Sequence, residues 1–230
     1  MSPASFRSTR WTLVQQARGN DAQSQAALSE LCEIYYHPVL SFIEHRIRDP
    51  DSARDLAHAF FEDLITRENL GLPDPERGRF RTYLLGAVKH FLAKQHYKGQ
   101  TAKRGGGVEH TSADLLQIPA AGDDELQFDR AWAHALIIRA HDALDDEMTA
   151  AGKQRSFEIL RAFLDGGPQS SREDACTALN CSPNALNVAI HRLREQFRFH
   201  IRAEVAATTS DPADLQDEFR HLLAVLSESL

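Results

Sequence analysis

Apolar residues recur along this chain at intervals of three and four from Ala27 to Leu226, and almost nowhere do they alternate with polar ones. Such spacing gathers them on one side of a 3.6-residue turn but would scatter them over both faces of a strand, so an all-α fold is expected. β-Branched residues are dispersed rather than collected in runs, which points the same way.

The stripes can be followed one after another. Ala27, Leu28, Leu31, Ile34, Tyr35, Leu40, Phe42 and Ile43 follow a capping Asp21 and enclose Pro38, which predicts either one kinked helix or two helices. Asp49-Pro50-Asp51 reads as a turn before a helix with Ala53, Leu56, Ala57, Phe60, Phe61 and Leu64 on its apolar face and Arg54, Asp55, His58 and Glu62 opposite. Gly71 to Pro75 breaks the pattern, and Phe80, Tyr83, Leu84, Ala87, Val88, Phe91 and Leu92 resume it. A later set begins near Asp124 with Phe128, Trp132, Ala135, Leu136 and Ile138, and runs through Phe157, Ile159, Leu160, Phe163 and Leu164 to Gly166-Gly167-Pro168. Asp211-Pro212 opens a last helix with Leu215, Phe219, Leu222, Leu223 and Leu226 inward.

Between Gly105 and Asp123 the period lapses into glycine, small residues and acid, the composition of a flexible tether. Two small helical domains are therefore expected, 1–104 and 124–206, joined by a linker at 105–123 and followed by an acidic helical extension at 207–230. A chain of 230 residues accommodates two such modules.

Charge separates the modules further. The whole chain is acidic, at −7, yet Glu76 to Arg104 carries eight Lys or Arg against one acid. Glu109 to Arg130 holds six carboxylates against one Arg, and Val205 to Leu230 holds five against Arg220 alone. One surface for phosphates and others that avoid them is the expected result. The acidic tail, with its apolar face, is expected to pack back on the second domain and restrain its basic helix.

Several function classes are excluded at this level. No stretch reaches the ~18 apolar residues of a membrane-spanning helix, and the start has no apolar signal core, so a cytoplasmic protein with no membrane partner is expected. Cys32, Cys176 and Cys181 form no even framework and no CxxC pair, which predicts reduced thiols. The eleven His include no HExxH, and neither GxSxG nor GxxxxGK occurs, so no cofactor, no metal and no catalysis are expected.

The remaining motifs point to nucleic acid. Ser170 with Glu173 fits a capping box, and Asn180-Cys181-Ser182-Pro183 supplies a turn, a helix cap and a proline at the first helical position. Leu186, Ala189, Ile190, Leu193 and Phe197 then form an inward stripe that leaves Asn184, Asn187, His191, Arg192 and Arg194 outward. Short amides at the start of a helix and cations further along, here continued by Arg198 and Arg202, suit base edges and phosphates respectively. A helix-turn-helix with a groove-entering second helix is expected. In the first domain, cations alternate with rings from Arg79 and Arg81 through Tyr83, Lys89, His90 and Lys94 to Tyr97 and Lys98, as a single-strand binder requires. Phe80, Tyr83 and Phe91 also fall on the apolar stripe, which leaves His96 and Tyr97 as the stacking candidates.

These segments together resemble the extracytoplasmic-function sigma factors. Asp49-Pro50-Asp51-Ser52-Ala53-Arg54-Asp55-Leu56-Ala57-His58-Ala59-Phe60-Phe61 is similar to their region 2.2 helix, usually DAEDLxQExF. Phe80-Arg81-Thr82-Tyr83-Leu84 through Lys89-His90 is similar to FRxWLxxIxxN, and Ser182 to Phe197 to the region 4 recognition helix. Arg10-Trp11-Thr12-Leu13-Val14 and PERGRFRTYLLGAVKHFLA resemble the variant of the family with an extended acidic tail. The chain departs from the pattern at His58 and Ala59, where Gln and Glu are usual, at Tyr83 in place of Trp, and at His90 and Lys94 in place of Asn and Asp. The resemblance implies a region 2 bundle and a region 4 helix-turn-helix, with Asp55, Leu56, His58, Phe61 and Glu62 on the β′ clamp of core RNA polymerase. The β flap is the second contact it implies. Start-proximal promoter DNA would meet Arg79, Arg81, Tyr83, Lys89, His90, Lys94, Tyr97 and Lys98. Upstream promoter DNA would meet Ser182, Asn184, Asn187, His191, Arg192 and Arg194. An anti-sigma factor or a kinase is a further partner the resemblance leaves open. A conventional helix-turn-helix regulator that works without polymerase is the alternative, and an α-helical hydrolase a more distant one.

Overall fold

The computed structural model describes residues 13, 16–17, 21–47, 49–66, 80–104, 123–164, 171–208 and 214–228, with the side chains at 65–66, 98–104 and 123–124 outside that description. Among the described residues there are helices and no strand, as the periodicity predicts. They are α1 (Ala22–Glu44), α2 (Pro50–Thr66), α3 (Phe80–Arg104), α4 (Asp123–Ala150), α5 (Gln154–Leu160) with a 3₁₀ turn at Arg161–Phe163, α6 (Arg172–Leu179), α7 (Pro183–Ala206) and α8 (Leu215–Ser227). None of them is long and apolar enough to cross a membrane.

Local chemistry sets the ends of these helices. Asp21 caps α1 by accepting from the Ser24 backbone at 2.8 Å, and Asp49 does the same for α2 through Ser52 at 3.0 Å. Asp49-Pro50 is thus the start of α2, not a turn ahead of it. Hydrogen bonds from the two serines hold both carboxyls below the usual aspartate range. Pro38 does not split α1, which runs unbroken through it. The missing N–H costs one ladder bond, and burial of Ile34, Tyr35, Val39 and Phe42 around it outweighs that loss.

The chain forms two compact units, residues 1–135 with 206–230 and residues 136–205. This division differs from the expected domains, because it falls within α4 rather than ahead of it. No glycine or proline interrupts the sequence from Asp123 to Ala150, so nothing stops the helix until Gly152, whose φ of 69° closes it. The first half of α4 gives Phe128 and Trp132 to the first unit, and the second half gives Leu144 and Met148 to the second.

In the first unit, edge-to-face rings tie the helices together: Tyr35 meets Phe80 at 5.0 Å, Phe60 meets Phe91 at 5.6 Å and Phe42 meets Phe128 at 6.0 Å. Helix α8 belongs to this unit, which corrects the expectation that the acidic tail packs on the second domain. Its buried stripe is Glu218, Leu222 and Val225, while Leu223, expected inward, is exposed.

The second unit is built around Leu144, Met148, Phe157, Leu160, Phe163, Ala175, Leu186, Ile190 and Leu193. Ile138, expected among the apolar positions of α4, is exposed instead. His141 packs its ring against Phe157 at 5.4 Å and Phe197 at 6.5 Å, and Glu204, nearly fully buried near the end of α7, receives the Arg139 Nε–H at 2.9 Å.

Candidate nucleic-acid interfaces

The second unit carries the clearer candidate surface. Ser171, and not Ser170, caps α6: its hydroxyl accepts from the backbone of Glu173 at 3.2 Å and Asp174 at 3.3 Å. Ser170 lies outside the described residues. Asn180 adopts the left-handed conformation at φ 49° and donates its N–H to the Thr177 carbonyl, while the Cys181 N–H reaches back to Cys176 at 2.9 Å. This pair of bonds is a Schellman ending, and it turns the chain in three residues. Ser182 then caps α7 by accepting from Ala185 at 3.2 Å, with Pro183 as its first residue. Leu186, Ile190 and Leu193 of α7 share one core with Ala175 of α6, so helix, short turn and second helix follow one another in the order the sequence predicts.

On the outer side of α7, Asn184, Asn187, His191 and Arg192 are exposed. Three of the expected contacts have prior engagements. Asn187 Oδ1 accepts from Arg172 Nη1 at 2.6 Å. Arg194 donates through Nη2 at 2.7 Å and Nε at 3.2 Å to the Phe163 carbonyl, closing the end of the 3₁₀ turn. Ser182 acts on the backbone as a cap. Farther along α7, Arg198 and Arg202 are exposed, and Arg198 pairs with Glu195 one turn back.

In the first unit, the basic helix α3 divides its cations between two sides. His90, Lys94 and Tyr97 are exposed, Tyr97 at 70 %, and His96 packs its ring edge-on to Tyr97 at 6.5 Å. Lys89 is half-buried and lies 3.7 Å from Glu125, and Lys94 lies 3.9 Å from Asp63, both loose surface pairs. Tyr83 is half-buried and stacked on Phe80 at 5.9 Å. Arg79 and the side chain of Lys98 lie outside the described residues.

Arg81 requires a correction. Expected against DNA phosphate, it is only 7 % exposed, hydrogen-bonded to Asp129 and 3.4 Å from Glu218, with its guanidinium 5.0 Å above the Trp132 ring. His221 completes the cluster by bonding the other oxygen of Asp129 at 2.7 Å and lying against Trp132. A cation taken out of water needs this degree of compensation, and here it joins α3, α4 and α8.

The residues expected to meet polymerase also separate. Leu56 and Phe61 are buried in the unit's core, whereas Asp55, His58 and Glu62 are exposed on α2. His58 stacks on Tyr36 at 5.4 Å and meets its hydroxyl at 3.0 Å. Those two rings, with Cys32, Glu33 and His37 of α1 and Phe61 and Glu62 of α2, line a shallow open groove that the sequence reading missed. Its signal was available in the helical spacing of Cys32, Glu33, Tyr36 and His37.

Cys32, Cys176 and Cys181 are unbridged and partly buried. Burial pushes the Cys32 thiol up, helped by the Glu33 charge, and burial followed by the neighbouring Cys181 raises Cys176. Among the described residues, no three His, Cys, Asp or Glu gather as a metal site. No family model, curated protein or solved structure matches the chain.

Proposed function

We propose that the chain is a promoter-recognition subunit of RNA polymerase, a sigma factor of the extracytoplasmic-function type, which supplies sequence recognition and no bond-making step of its own. The observation that carries this reading is the outer side of α7, where Asn184, Asn187 and His191 precede Arg192, Arg198 and Arg202 on a capped helix of a helix-turn-helix. Amides and imidazole at the groove-entering end suit base edges, and the guanidinium groups behind them suit the two phosphate backbones.

Two further features support it. Exposed His90, Lys94 and Tyr97 along α3 offer an imidazole, a cation and a ring to an opened strand near the start site. The α1–α2 groove, with its rings and the carboxylates of Glu33 and Glu62, suits a basic amphipathic helix such as a polymerase clamp would present. Weak contacts by separate surfaces gain from being linked, and a bipartite promoter engages both together only on polymerase. A cytoplasmic place of work follows from this reading.

The test is transcription in vitro with the full chain and core RNA polymerase, on templates taken from start sites that rise when the chain is overexpressed. Association with the core enzyme and promoter-dependent initiation are the expected results. Tight binding to a DNA site by the chain alone, with no association with polymerase, would replace the reading with a conventional helix-turn-helix regulator.

A further inference from the structure

Val188 stands out on α7. It is 45 % exposed, whereas Leu186 and Ile190, two residues to either side, are buried at 1 % and 5 %. At about 100° per residue Val188 points away from both, into the middle of the face that carries Asn184 one turn before it and His191 and Arg192 one turn after. The core of the unit has no use for an isopropyl group there. Against duplex DNA, the apolar group that a major groove offers is the 5-methyl of thymine.

The neighbouring residue narrows the match. Arg172 can only donate, so the Asn187 atom 2.6 Å from it is the carbonyl oxygen, which has one of its two lone pairs engaged while both amide hydrogens stay available. Pairing with adenine or cytosine would have to share that oxygen with Arg172, whereas a contact made by the amide hydrogens alone would not. An O4 acceptor beside a methyl group, the edge of thymine, asks for a donor next to an apolar contact.

We infer that Val188 is a specificity-determining residue that seats against the 5-methyl group of a thymine in the upstream duplex element, with the Asn187 amide donating to an O4 beside it. The inference deepens the reading above and rests on it.

A randomised duplex pool is selected with the full chain bound to core polymerase, and each thymine of the selected element is then replaced by deoxyuridine. One replacement is expected to weaken binding by the wild-type chain about fourfold, the worth of one buried methyl group. Val188→Ala, a change at an exposed site, should bind the thymine-containing element more weakly and be indifferent to that same replacement. An element without thymine, a set of replacements with no effect, or a penalty that persists in Val188→Ala overturns the inference alone. Loss of polymerase association in Val188→Ala without any methyl dependence also overturns it, and assigns the side chain to a protein contact. A pool that yields no selected sequence overturns the promoter-recognition reading, and the inference with it.

Discussion

Arg81 shows why a count of cations does not give a surface. It lies in the most basic stretch of the chain, yet Leu84, Leu85, Val88 and Leu92 follow it at helical spacing, so it shares the buried side of α3. Asp129 precedes Trp132 and Ala133 in the same way, and Glu218 precedes Leu222 and Val225. Three charges in phase with apolar stripes were legible, but which would meet which depended on tertiary packing. Arg81→Ala takes the guanidinium away from the fully buried Glu218 and from one oxygen of Asp129, which keeps His221, and is expected to cost about 3–5 kcal/mol, whereas Glu218→Ala leaves Arg81 with Asp129 and should cost about 1–3 kcal/mol. Urea unfolding of the two variants checks both the size and the order. At Asp49 the effect is on pH dependence. Its carboxyl titrates below the usual range because Ser52 holds the charged form, so its contribution is complete above about pH 4 and fades as pH falls through the depressed value. Helix content followed by circular dichroism should fall earlier in Asp49→Asn than in the wild type at pH 5, with the difference closing towards pH 2.

At the scale of elements, the helix-turn-helix was the most legible part of the chain, because its punctuation is local. Asn180-Cys181-Ser182-Pro183 specifies a turn, a cap and a first-turn proline within four positions, and all three fall where the sequence placed them, while the left-handed conformation of Asn180 is added by the structure. Asn180→Ala should lose about 1 kcal/mol to the left-handed backbone while Asn180→Gly does not, and Ser182→Ala should lose about 1 kcal/mol through the missing cap, as thermal melts would show. The outward side of α7 was less legible, since polar residues there have partners that periodicity cannot name. Arg194 uses its donors on the Phe163 carbonyl, and Arg192 has no such engagement among the described residues. Arg194→Ala is therefore expected to lower the melting temperature. On the promoter-recognition reading, Arg192→Ala should leave it unchanged but weaken DNA binding about equally across sequences, reducing the slope of log affinity against log salt by about one. Reversed outcomes would exchange their roles.

For the whole molecule, helical character was legible throughout the described residues, and the partition into units was not. A glycine-rich, acidic stretch marks a loss of period, which locates a connection without saying which helices lie on either side of it. Helix α4 contributes to both units because nothing in its sequence interrupts it, and the net charge of the tail gave no hint that Glu218 would be taken inside beside Arg81. That placement changes what removal of the tail should do. Had α8 covered the second unit's basic helix, deleting the residues after Thr208 would strengthen DNA binding. With α8 in the first unit, the same deletion uncovers Arg81, Asp129 and Trp132 and withdraws Leu222 and Val225 from the core. The truncated chain is expected to unfold at lower urea by Trp132 emission, read in a Trp11→Phe background, while on the promoter-recognition reading its affinity for the upstream element stays within about twofold. Tighter DNA binding with an unchanged Trp132 transition would restore the tail to the second unit.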